Sequence, residues 1–306
     1  MISYLEHDDI DFAKWDAAVD ASAGGMVYAK SWYLNVVAPG WEALVEGDYQ
    51  IIFPLTSRKK YGFRYLFQPP YTQQLGVFSK EIPDAPVVSN FLASIPGLFR
   101  LAEIQLHHSN KISKGDFKIS ERVTHLLDLA KNYGELQKKY SESVKRNLKR
   151  AQQNGLQITK EFKTAALTDL FKSNRGKEIE TLTENDYRIL EKLVEEGDKR
   201  NLITRLGIEI NGKLEAGAIF MQSNHEYIFL FSATSDHAKE TGAMTFIIDT
   251  FIRSHSSSTL QLDFEGSMDA GLARFYKSFG SEEVVYLQIR KNNLPLLIRW
   301  IKNSSQ

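Results

Sequence analysis

Asn211-Gly212-Lys213-Leu214-Glu215-Ala216-Gly217-Ala218-Ile219-Phe220-Met221-Gln222 leads, after a short polar turn, into Tyr227-Ile228-Phe229-Leu230-Phe231. Asn-Gly is a strong hairpin signal, because both residues tolerate the positive φ of a tight type I′ turn. The spacing predicts one strand before it, Leu202 to Ile210, and two after it, Leu214 to Gln222 and Tyr227 to Ala233. A helix over Gly242 to Arg253 follows, then a strand over Thr259 to Phe264. A second helix, Ala270 to Ser278, ends at Gly280, as a helix with a C-terminal glycine does. Val284 to Ile289 forms the last strand. Three antiparallel strands, a crossover helix and a parallel strand make a mixed sheet flanked by helices.

The first half repeats this order. Gly47 takes the place of the Gly212 turn. Ala43 to Glu46 precedes it, and the apolar run Ile51 to Ser57 follows as one strand. Arg58 to Gly62 reads as a polar turn and Phe63 to Phe67 as an aromatic strand, the counterpart of Tyr227 to Phe231. Glycines follow in both halves, Gly76 and Gly242, then a helix (Pro86 to Arg100 in the first half) and a strand. The closing strands have similar letters: Ile104-Gln105-Leu106-His107 and Leu260-Gln261-Leu262-Asp263. One match could be chance; a preserved order argues for duplication. Between the halves lies a charged helical region, Tyr133 to Gln153, then helices over Ala165 to Lys177 and Glu184 to Lys199. The expected organisation is α/β (α+β), with domains at 1–130 and 131–306.

Composition narrows the function. The chain has 306 residues, 38 basic and 38 acidic side chains, 42% hydrophobic residues and no cysteine. The length suits two domains of ~150 residues. The missing cysteine excludes disulfides, thiolate metal sites and a thiol nucleophile. Balanced charge argues against a general DNA binder but allows a local basic patch. No apolar run reaches the ~20 residues of a membrane span, and the acidic start Met1 to Asp9 is not a secretory signal. A cytoplasmic protein with no transmembrane segment is the expectation. No metal site is expected, because His107 and His108 point to opposite faces of a strand and have no third ligand at suitable spacing. Gly-x-Ser-x-Gly, Walker A and dinucleotide fingerprints are absent.

Chemistry concentrates near the end. Asp263-Phe264-Glu265-Gly266-Ser267 closes a strand, and Gly271-Leu272-Ala273-Arg274-Phe275-Tyr276-Lys277-Ser278-Phe279-Gly280 follows. The second segment resembles the GNAT signature on the last helix. It is also similar to the Gly-Leu-x-Arg-Phe-Lys-x-x-Phe-Gly segment of the FemABX aminoacyltransferases, bacterial tandem-GNAT enzymes that add amino acids to peptidoglycan precursors of the cell wall. Val144-Lys145-Arg146-Asn147-Leu148-Lys149-Arg150-Ala151 resembles the basic helix that opens the second domain in that family. The resemblance covers the element order over most of the chain and about three short motifs. It implies two tandem GNAT-like domains, each a mixed, mostly antiparallel sheet flanked by helices, with the transfer site in the second.

Two departures stand out. Lys239-Glu240-Thr241-Gly242-Ala243-Met244 occupies the position where GNAT enzymes cradle a coenzyme A pyrophosphate on helix amides. Gly242 and Ala243 are the candidate cofactor-binding residues, but Met244 replaces a small residue. Tyr276 stands where FemABX members usually have lysine.

The candidate catalytic residues are Asp263, Glu265, Tyr276 and Lys277. Asp263 and Glu265 alternate at a strand end, where ligand crevices lie, and could bind or deprotonate an amine. Their plain structural role would be capping the next helix. Tyr276 or Lys277 could meet charge on an acyl oxygen. Tyr276 could equally be a core aromatic beside Phe275. Candidate substrate-binding residues are Lys145, Arg146, Lys149 and Arg150 on the basic helix, Ser232 and Thr234 at a strand end, and Tyr71, Gln73 and Gln74 in a first-domain loop. The basic residues could hold phosphate or simply form a solvated face. The expected activity is transfer of an acyl or aminoacyl group from an activated donor to an amine, with aminoacyl-tRNA or acyl-CoA as co-substrate and a phosphate-bearing cell-wall precursor as acceptor. A coenzyme A-dependent N-acyltransferase and a non-catalytic binding module on the same fold are the alternatives.

Overall fold

A computed structural model describes residues 1–60, 62–113, 115–178, 182–266 and 268–294. Tyr61 of the expected turn and Ser267 of the motif at Asp263 lie outside them. The chain divides into two compact units, Met1–Arg122 with residues 285–294, and Val123–Val284. Where the sequence suggests one cut near residue 130, the chain crosses twice.

The first unit contains β1 (Ile2–Leu5), α1 (Phe12–Ala21), α2 (Ser31–Val37), β2 (Glu42–Glu46), β3 (Ile51–Leu55), β4 (Ser57–Lys60), β5 (Phe63–Leu66), β6 (Phe78–Ser79), α3 (Ala85–Ala93) and β7 (Phe99–Gln105). β8 (Lys118–Asp128) starts here and continues into the second unit. Strands β1-β2-β3-β6 form one sheet. The expected strand over Ile51 to Ser57 breaks at Thr56, whose hydroxyl donates to the carbonyl of Phe67 at 2.6 Å. The run after it, read as a polar turn, is β4, paired antiparallel with β5. β5 runs parallel to β7 across α3. α3 stops at Ala93, before Pro96 and Gly97, rather than reaching Arg100. Its start is set by Asp84, whose carboxylate accepts the Val87 N–H. A core of Phe53, Leu66, Phe91, Phe99 and Ile104 fills the space beneath.

The second unit adds α4 (Tyr133–Lys138), α5 (Glu142–Gln153), β9 (Ile158–Thr159), α6 (Thr164–Ser173), α7 (Glu184–Asp198), β10 (Ile203–Ile210), β11 (Lys213–Gln222), β12 (Glu226–Thr234), α8 (Asp236–Thr241), α9 (Ala243–His255), β13 (Gln261–Asp263), α10 (Ala270–Lys277) and β14 (Glu282–Asn292). The later part of β14 pairs antiparallel with β7, which is why the chain re-enters the first unit. The expected long helix over Tyr133 to Gln153 is two helices. Ser141 takes extended backbone and caps α5 through the Val144 N–H, so the first helix must stop before it.

Asn211 and Gly212 have φ of 53° and 73°, the tight turn expected between β10 and β11. β10-β11-β12 are antiparallel, and β12 then runs parallel to β13 across α8 and α9. The aromatic strand, crossover helix and parallel strand recur in both units, but in the first the hairpin strand splits into β3 and β4, so the three-strand antiparallel run of the second is not repeated intact. β13 also pairs with β8, a strand without a clear sequence signal because its first half, Lys118 to Arg122, is polar apart from exposed Ile119, and His125 interrupts its buried end.

Candidate active site

Parallel pairing of β12 with β13 ends at Ile228↔Asp263. β12 continues to Thr234, while the other chain turns away through Glu265, which has a φ of 56°. The strands part, and a cavity of about 560 Å³ opens along the free run of β12. A bulge lies at its start: Phe220 faces Phe229 and Ile219 faces Phe231, leaving Leu230 without a cross-strand partner on β11.

The cavity reaches both faces of the sheet. Phe171 of α6 packs 4.9 Å from Phe231, the partner of Ile219. The next residue, Phe220, points the other way and stacks at 3.8 Å on Phe251 of α9. Phe171 from one side, and Met244, Phe275 and Tyr276 from the other, all line the opening.

Asp263, at the root of the divergence, is 1% exposed. Its Oδ1 accepts the Thr124 hydroxyl at 2.5 Å and the Glu265 N–H at 2.7 Å. Burial pushes its carboxyl up to about 6 despite these bonds. Glu226 begins β12. Since Ile228 pairs with Asp263, Glu226 lies two residues along the same face. Burial, then the charges of Asp263 and Glu265, drives the Glu226 carboxyl well above the carboxylate range. Burial thus favours the protonated form of both carboxyls. Glu226 carried no sequence signal, because a glutamate opening a strand reads as a solvated edge.

Tyr276 lines the cavity and is 8% exposed. Its ring stacks on Phe264 at 5.0 Å and meets Phe229 at 6.2 Å. Burial, then Glu265, raises its hydroxyl above the ordinary phenol range, so the phenol keeps its proton. Behind it stands His125, fully buried, with neither ring nitrogen hydrogen-bonded among the described residues. Burial, then Lys277, lowers its pKa. Lys277 itself pairs with Glu283 at 2.6 Å and does not line the cavity.

Of the other expected residues, Ser232, Thr234 and Gly242 line the cavity, whereas Ala243 is buried. Gly242 has a φ of 80° and links α8 to α9. A Cβ there would collide with the backbone carbonyl of Asn147, so packing of α5 demands this glycine. Met244 lines the opening as well. Lys145, Arg146, Lys149 and Arg150 are exposed on α5 and lie outside the lining; Lys145 pairs with Glu142, and Arg150 donates to the Glu240 carbonyl. The helix enters the cavity through Asn147 instead. The cations that line it, Arg175, Lys177 and Lys239, come from the segment after α6 and from α8. In the first unit, Gln74 is buried and ties Gln73 to the His108 N–H, while the Tyr71 carbonyl accepts the Tyr33 hydroxyl. None of the three lines this cavity.

No protein-family profile matches the chain, and no curated protein matches its sequence. Solved structures do. FemX is similar over 96% of this chain and 98% of its own, at a TM-score of 0.64 and 13% identity. L-PGS from Bacillus licheniformis matches over 96% and 97%, at 0.56 and 11% identity. A conserved protein of unknown function from Bacteroides thetaiotaomicron matches over 95% and 99%, at 0.60 and 14% identity. At these identities the likeness is one of architecture. The chain therefore shares the overall architecture of FemX, over nearly the whole length of both chains.

Proposed function

We propose that the second unit transfers an acyl or aminoacyl group from an activated donor to an amine acceptor. The observation that carries this reading is the parting of β12 and β13 just past the buried Asp263, beyond which a cavity walled by Tyr276 opens along the free run of β12. The donor lies along the unpaired edge of β12, with Ser232 and Thr234 beside it. Its carbonyl sits near Tyr276, whose hydroxyl donates a hydrogen bond to the oxygen as negative charge develops. The attacking amine loses its proton toward the Asp263 carboxylate, and the ester oxygen or thiol of the donor leaves with a proton as the acyl–carrier bond breaks. Phosphate of the donor meets Lys177, Lys239 and Arg175.

The collision at Gly242 and the bulk of Met244 favour an aminoacyl ester over coenzyme A, since the glycine answers to α5 packing and a methionine stands where a phosphate cradle needs a small residue. A cell-wall precursor is the proposed acceptor class, following the resemblance of the Gly271–Gly280 segment to FemABX. The exposed cations of α5 would serve a large phosphate-bearing partner such as tRNA.

Transfer from radiolabelled aminoacyl-tRNA and from acyl-CoA to amine acceptors tests the reading. Wild-type protein should transfer, and Tyr276→Phe and Asp263→Asn should each fall by roughly 10²-fold. Undiminished transfer in both variants would place the chemistry elsewhere.

A further inference from the structure

The cavity is graded along its length. From Phe229 to Thr234, β12 spans roughly 16 Å. The Phe229 end is apolar: Leu272 and Phe275 of α10 join Tyr276 there, with Phe275 6.0 Å and Phe229 6.2 Å from the Tyr276 ring. The Thr234 end is charged, because α8 follows β12 directly through Ser235 and brings Asp236 and Lys239 to it.

The sign of that charge matters. Asp236 is the carboxylate among the lining residues, and it already accepts the Lys239 ammonium at 2.7 Å. Arg175 is shared with Asp269 at 3.1 Å, while Lys177 adds a further cation. A cationic side chain at the apolar end would be stripped of water with no carboxylate of the lining to receive it. An anionic one would meet there only Arg175, which Asp269 at the start of α10 already holds at 3.1 Å, while Lys239 stands at the Thr234 end beside Asp236. An apolar side chain would exchange water for Leu272, Phe275 and Phe229.

On the reading that this cavity takes the donor, we infer that the group transferred is apolar, of the leucyl or phenylalanyl kind, and that Leu272 and Phe275 select it. The phosphate end of the donor then lies at Lys239 and Lys177. The same apolar group could arrive as an aminoacyl ester or as a thioester, and the two sources are separable by experiment.

Calorimetric titration of the full chain with stable 3′-aminoacylamino-adenosine mimics bearing leucyl, phenylalanyl, lysyl and glutamyl groups, and with hexanoyl-CoA, is the test. Leucyl and phenylalanyl mimics should bind at least ten-fold tighter than lysyl and glutamyl ones. Hexanoyl-CoA binding more tightly than the leucyl mimic would assign the apolar group to a thioester donor and still support the apolar selection. Leu272→Glu, on a partly exposed helix position, should weaken the leucyl mimic at least ten-fold and strengthen the lysyl one. Lysyl or glutamyl binding equal to leucyl, or an unchanged order in Leu272→Glu, would overturn the inference while leaving the transfer reading intact. No binding by any of the five ligands would overturn the donor reading itself, and the inference with it.

Discussion

Asp263 has two neighbours that favour its charge, the Thr124 hydroxyl and the Glu265 N–H, and burial that opposes it more strongly. Its folded pKa of about 6 lies above that of an unfolded aspartate, near 4. Between roughly pH 4 and 6 the folded chain therefore binds more protons than the unfolded one, and stability falls as pH rises through that window. Glu226, shifted in the same direction, extends the fall upward. Asp263→Asn should flatten this slope in urea unfolding measured from pH 4 to 8, and Glu226→Gln should raise stability at pH 7 by about 1–3 kcal/mol. Parallel pH profiles for wild type and Asp263→Asn would mean that Asp263 is better solvated than the fold shows. The strand-end carboxylate was readable from sequence, because such a residue closing an apolar strand is unusual. Its buried companions, Thr124, His125 and Glu226, were not. Each is a polar residue whose burial depends on a neighbouring strand far away in the chain.

Among the elements, α9 and its entry carry the most local information. Gly242 was legible as a special glycine, but for a different reason from the one that operates. Sequence spacing pointed to a phosphate; the structure presents the Asn147 carbonyl of α5 in the path of any Cβ. Gly242→Ala would combine a left-handed backbone with that collision and should cost about 1–3 kcal/mol, read as a lower unfolding midpoint. A neutral substitution would show that α5 can move away. α9 is further held by buried Asp249, which accepts the Tyr133 hydroxyl at 2.8 Å and the Tyr140 hydroxyl at 3.1 Å. Tyr140→Phe should cost about 1 kcal/mol in the same assay. The hairpin at Asn211-Gly212 was fully readable, because its turn chemistry is local. The break of the Tyr133 to Gln153 region was less so, since Ser141 looks like any polar helix residue until its extended backbone is seen.

For the whole molecule, the crossover part of the expected repeat was legible because order survives where letters do not, whereas the split of the first-half hairpin strand was hidden. The strand before each crossover helix runs parallel to the strand after it in both units. The double crossing between units was hidden, since only β14's pairing with β7 reveals it. Neutral net charge also conceals local sign. Exposed cations gather on α5, a buried carboxyl, Asp263, ends β13, and neither lines the cavity. Among the described residues no helix is long and apolar enough to cross a membrane. The central claim is that the activated donor lies along the free run of β12 in the second unit. Hydrogen exchange of the full chain, with and without a saturating 3′-leucylamino-adenosine mimic, tests it most directly. Slowed exchange over residues 229–234 and 242–246 is the predicted result; protection confined to residues 1–122, or no protection, would contradict it.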